Sequence, residues 1–102
     1  MKQRTVIISP EAEEDLAQMN SYLRAKYGRQ VADKYIDRIG AFLAGLDLAS
    51  ERGTLRSDIG LDLRIVGFER NLTVAFMVSF DAVKIIRIFT RGQNWQEILK
   101  DD

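Results

Sequence analysis

The sequence contains no cysteine and no histidine. Without cysteine there is no disulfide framework, no zinc–thiolate site and no cysteine nucleophile. Without histidine the side chain that most often moves protons near neutral pH is missing, so any hydrolytic chemistry would fall to Asp, Glu, Lys, Arg or Tyr. No phosphate-binding glycine loop or dinucleotide pattern occurs, and nothing in the chain signals a metal or a cofactor. No apolar run is long enough to span a bilayer. The opening MKQRTVIISPE turns acidic too soon for a signal peptide. These absences suit a protein of the reducing cytoplasm with no membrane partner. The chain also has no internal repeat, no low-complexity segment and a single proline.

What is present describes one globular domain, residues 1–102, with 46% hydrophobic residues. A domain of this size is stable by about 5–10 kcal/mol. The net charge is zero, but it is unevenly placed. Glu11, Glu13, Glu14 and Asp15 form an acidic cluster. Between Arg52 and Arg91 there are seven basic side chains against four acidic ones. That asymmetry points to a partner-facing surface. A dedicated nucleic-acid binder is usually basic overall, so sequence-specific binding to DNA or RNA is not expected.

Arg4 to Ser9 is a short β-branched run and reads as a strand. Ser9-Pro10-Glu11 is a helix start: serine caps, proline suits the first position, and the acidic cluster complements the helix dipole. Ala12, Leu16, Met19 and Leu23 make one apolar stripe, which Gly28 ends. A second helix from Arg29 carries Ala32, Ile36, Ile39, Leu43 and Leu46, widened by Val31, Tyr35 and Phe42. Its Gly40 and Gly45 predict a close approach to the first helix. Tyr22, Tyr27 and Tyr35 read as core or groove aromatics. Residues 50–62 lose periodicity and read as a loop. Three strands follow, Leu63–Phe68, Leu72–Phe80 and Val83–Phe89, with turns at Glu69-Arg70-Asn71 and Asp81-Ala82. The fold class is α+β: an N-terminal strand, an antiparallel helical hairpin and a three-stranded antiparallel meander, in two layers.

A two-residue turn at Asp81-Ala82 sets Phe76 opposite Arg87 and Val78 opposite Ile85. One face then carries Leu72, Val74, Phe76, Val78, Ile85, Arg87 and Phe89, the other Ala75, Met77, Ile86 and Ile88. Both are apolar. A hairpin covers one face, so the other is expected to be covered by a second polypeptide; the alternative is cover by the chain's own loops and C-terminal turn, where Trp95 to Lys100 can make one helical turn. Arg87, set in an apolar strand, reads as a bidentate anion site or as an arginine whose head reaches water.

Four stretches recur in order: SPEAEEDL at Ser9–Leu16, VADKYIDRIGAFLAGL at Val31–Leu46, LDLRIVGF at Leu61–Phe68, and KIIRIFTRGQNW at Lys84–Trp95. Together they resemble the ParE branch of the ParE/RelE toxin superfamily of bacterial toxin–antitoxin systems, over nearly the whole chain. The resemblance implies a strand–helix–helix–three-strand fold. It also implies a ParD-like antitoxin whose C-terminal segment wraps the toxin in a hetero-oligomer. The implied activity is non-enzymatic inhibition of DNA gyrase. RelE-like relatives instead cleave mRNA on the ribosome.

The resemblance assigns no catalytic residue and no metal. Arg64 of the "glR" strand, Arg87, Arg91 and Trp95 are the expected target contacts. Leu16, Met19, Leu23 and Tyr35 on the helices, with Phe76, Val78 and Ile85 on the sheet, are the expected antitoxin contacts. Thr90 stands where many relatives have histidine, and Gln93 and Asn94 where arginine and aspartate are frequent. A threonine hydroxyl hardly titrates, which weighs against the nuclease. Three readings remain: gyrase inhibitor, ribosome-dependent endonuclease, and a degenerate toxin retained as an interaction module. On the first, Arg87→Ala is expected to weaken toxicity while leaving the fold intact.

Overall fold

Ser9 fixes the first turn of the chain. Its hydroxyl oxygen accepts from the Ala12 N–H at 3.0 Å and its O–H donates to the Ile86 carbonyl at 2.7 Å. One side chain thus starts helix α1 (Pro10–Tyr27) and ties it to the sheet. In the computed structural model, which describes residues 4–47, 52–60 and 62–100, strand β1 (Thr5–Ile8) leads into this cap. Gly28 alone joins α1 to helix α2 (Arg29–Ala44), at φ 93°. It donates to the Arg24 carbonyl and accepts from the Ala32 N–H. Only glycine holds such a backbone without strain. A 3₁₀ turn, Gly45–Asp47, closes the hairpin.

The remaining strands are β2 (Thr54–Leu55), β3 (Leu63–Phe68), β4 (Leu72–Val78) and β5 (Ala82–Thr90), followed by helix α3 (Trp95–Lys100). They form one sheet in the order β1-β5-β4-β3-β2. β1 runs parallel to β5 and all other pairs are antiparallel, so the sheet is mixed and has five strands. The α+β class and element order match the expectation. The extra strand, β2, lies inside the stretch read as a loop. Two residues carry no periodicity to detect. Gly53, at φ 84°, allows the pairing, because a Cβ there would collide with the Ile65 carbonyl oxygen.

Glu69 and Arg70 both take positive φ and make the expected tight turn between β3 and β4. The β4–β5 connection differs from the expected two-residue turn. Val78 faces Val83, the Ser79 N–H donates to the Ala82 carbonyl, and Phe80 stands 80% exposed on the loop. A bulge follows: Phe76 faces Ile85 but Ala75 faces Arg87, leaving Ile86 as the extra residue. One inserted residue inverts the alternation beyond it. Ile88 therefore joins the helix side and Phe89 the reverse side, the opposite of the sequence assignment.

The main core lies between the hairpin and the sheet. Ala12, Met19, Ile39, Leu43 and Leu46 pack on Val66, Leu72, Val74, Phe76, Val83, Ile85 and Ile88. A second cluster lies on the reverse face. Leu63, Ala75 and Phe89 are buried there beneath Ile59, Trp95, Ile98 and Leu99. The chain's own C-terminal helix thus seals much of the face that was expected to need a second polypeptide. What stays open beside it includes Ile7, 47% exposed, and Met77, 38% exposed. Gly40 and Gly45 make no close approach: no heavy atom lies within 4 Å of where a Cβ would stand. Among the described residues no helix is long and apolar enough to cross a membrane.

Candidate functional site

β1 ends beside Ile85, whereas β5 runs on to Thr90. Beyond Ile85 the β1-side edge of β5 has no strand neighbour among the described residues, and a buried backbone edge must find partners elsewhere. α1 supplies them. The Ser9 N–H donates to the Ile85 carbonyl, the Ser9 hydroxyl to that of Ile86, and Asp15 Oδ2 accepts from the Ile88 N–H at 2.8 Å. The same carboxylate accepts a bidentate pair from Arg87, Nε at 2.9 Å and Nη2 at 3.1 Å. The two side chains are only 19% and 14% exposed. The guanidinium also lies 5.1 Å from the centre of the Phe89 ring.

Arg87 is therefore held in the structure, and its expected role as a free target contact is corrected. Removing it would strand a largely buried carboxylate, so intact folding is no longer the expectation for Arg87→Ala. Asp15 was missed as its partner because the helix dipole sufficed to explain an acidic first turn. The usable signal was spacing: Asp15 lies three residues after Ala12 and four before Met19, on the buried stripe.

Past this anchor α1 and the sheet separate, leaving an open groove of about 740 Å³. Met19, Leu23, Leu72 and Ile88 line its floor, with Tyr35 beside them. Tyr22, Tyr27 and Val31, each more than half exposed, form its rim. Burial pushes the Tyr35 phenol up, and the Glu69 charge adds to the shift. Its Oη makes no hydrogen bond to a described residue, although the Asn71 side chain is near enough to ease that shift. Arg38 closes one side, with Nε at 3.0 Å and Nη2 at 3.1 Å from the Glu69 carboxylate. At the far end Arg91 lines the groove from the loop after β5, where its N–H donates to the Asn71 carbonyl.

The expected antitoxin residues divide. Met19, Leu23 and Tyr35 line this groove. Leu16 and Val78 are partly buried at the margin of the main core. Phe76 and Ile85 are 0% exposed under the hairpin and present no surface to a partner; the bulge and the longer loop left them on the covered face. The expected target residues also separate. Arg91 is exposed at the groove, while Arg64 sits on β3 opposite Phe76. Trp95 packs in the reverse-face cluster, where the Arg56 guanidinium lies 5.4 Å from its ring centre. Arg56 also pairs with Asp58 through two hydrogen bonds of 2.9 Å, which holds the Asp58 carboxyl down at about 2.

The departures at the tail have local tasks. Gln93 Oε1 accepts from both the N–H and the hydroxyl of Thr90, and Asn94 Oδ1 accepts from the Glu97 N–H at the start of α3. Among the described residues no group of three or more Cys, His, Asp or Glu is placed to hold a metal ion.

Comparison with known proteins agrees with this architecture. The family model for the ParE toxin of type II toxin–antitoxin systems, parDE, matches residues 6–95. Among solved structures, a chain of the "Chromosomal ParDE TA system from P. aeruginosa" superposes with a TM-score of 0.75. It is 20% identical, and the match covers 86% of this chain and 96% of that one, a likeness of fold. No curated protein matches the sequence. With the family match running from β1 to the first residue of α3, this chain belongs to the ParE toxin family of type II toxin–antitoxin systems.

Proposed function

We propose that this chain inhibits DNA gyrase in the cytoplasm without itself cutting nucleic acid. A ParD-like antitoxin neutralises it by laying its C-terminal segment in the groove between the hairpin and the sheet, forming a hetero-oligomer. The observation that carries this reading is the family match over residues 6–95, joined to an open apolar and aromatic groove in a chain that seals much of its other face itself. Such a groove is the form that takes up an amphipathic segment.

Chemistry favours inhibition over cleavage. Cutting RNA needs a group that moves a proton at the reacting oxygen. Near the tail the Thr90 hydroxyl donates to Gln93, and the Asp15 carboxylate accepts three hydrogen bonds. Arg64, Arg91 and Trp95 are the candidate contacts with the target, and Arg87 serves them by fixing the end of β5.

The test uses the purified chain in two assays. It should inhibit supercoiling by gyrase, and addition of the antitoxin should relieve the inhibition. It should leave ribosome-bound mRNA intact. Cleavage at defined codons with gyrase unaffected would replace this reading with the nuclease.

A further inference from the structure

The groove is apolar and aromatic along most of its length, but its charges are not balanced. Three ionised side chains line it: Asp15, Arg38 and Arg91. Asp15 is neutralised by Arg87 and Arg38 by Glu69. Arg91 forms no ion pair with a described residue. A second cation stands at the rim. Lys26 Nζ lies 5.5 and 5.4 Å from the ring centres of Tyr22 and Tyr27 and donates to the Tyr22 hydroxyl, with no carboxylate partner among the described residues. The acidic residues Glu11 and Glu13 lie at the other end of α1, in its first turn. The groove mouth is thus cationic beside an apolar floor.

We propose that Arg91 is the specificity-determining cation of this groove, pairing with a carboxylate on the antitoxin segment while apolar side chains of that segment fill the floor beside Met19, Leu23 and Ile88. This rests on the reading above that an antitoxin segment occupies the groove. The partner so defined is an amphipathic segment with acidic residues next to its apolar face, one opposite Arg91 and a second within reach of Lys26. A planar guanidinium at an exposed loop selects a carboxylate by geometry as well as by charge, and lysine reproduces only the charge. Complementary charge beside an apolar anchor sets which partner is accepted and how fast it arrives.

The test uses the full chain and its ParD-like antitoxin, with affinity measured by calorimetry at several salt concentrations. Arg91→Glu should weaken binding by about tenfold or more and flatten its salt dependence, as loss of an interfacial charge pair does. Arg91→Lys should recover part of the loss. Arg70→Glu, an equal change of net charge at the exposed β3–β4 turn outside the groove, should change affinity by less than about twofold. Thermal unfolding of the free variants should stay near the unaltered chain, since Arg91 is exposed. Equal effects of Arg91→Glu and Arg70→Glu would overturn the inference and leave the groove reading standing. If the unaltered chain does not bind a ParD-like antitoxin at all, both fall together.

Discussion

The two faces of the sheet are closed by different means. On one side an 18-residue and a 16-residue helix lay down a continuous stripe, and of nine large side chains that are essentially inaccessible among the described residues most lie there. On the other a six-residue helix caps a small cluster, and none of its own residues is fully buried. Burial scales with the apolar area removed from water, so the first face should carry global stability and the second a local closure. The difference teaches where a partner belongs. A face sealed by its own tail offers little, whereas the long hairpin diverges from the sheet and leaves a groove.

The sharpest way to break this contrast is at its centre. Phe76→Ala, under the hairpin, should cost about 3–5 kcal/mol, a large share of the stability of a domain this size. Urea unfolding would read it; a loss below about 1 kcal/mol would show that the hairpin face is not the dominant core. Next comes the anchor between helix and sheet. Asp15→Ala leaves Arg87 enclosed without its carboxylate and the Ile88 N–H without an acceptor, and should cost about 2–4 kcal/mol. Adding Arg87→Ala should cost less than the sum of the two single losses, by about 1–2 kcal/mol in a double-mutant cycle; strict additivity would mean that the pair is ornamental. The smallest effect belongs to the tail. Trp95→Ala should cost about 1–2 kcal/mol and raise binding of a hydrophobic dye, with far-UV dichroism nearly unchanged. Collapse of the whole fold would make the reverse face an equal partner in the core.

Much of the helical layer was legible because it is periodic and punctuated. Ser9, Pro10 and Gly28 mark the boundaries, and the stripes at spacings of three and four mark the faces. The sheet was legible in its strands but not in its register. A bulge at Ile86 leaves no trace in composition, yet it moves Ile88 and Phe89 to opposite sides. The longer β4–β5 loop was hidden because Phe80 looks like a strand residue. It is exposed instead because the strand has already ended at Val78.

The site divides along the same line. Met19 and Leu23 fall on the apolar stripe of α1 and Tyr35 was read as a core or groove aromatic, and all three line the groove. Phe76 and Ile85 could not be told from surface residues by pattern alone. Arg87 could be noticed as an anomaly but not explained, since its partner lies 72 residues away.

The sequence by itself determined the order of the longer elements, the boundaries of the two long helices, the want of a proton-moving histidine or cysteine, and the family. These depend on residue type and local spacing. Only the tertiary structure decided which cations are engaged and which face is open. An ion pair between α1 and β5, a one-residue bulge and a tail folded across the sheet are contacts between distant parts of the chain, and short-range periodicity carries no information about them.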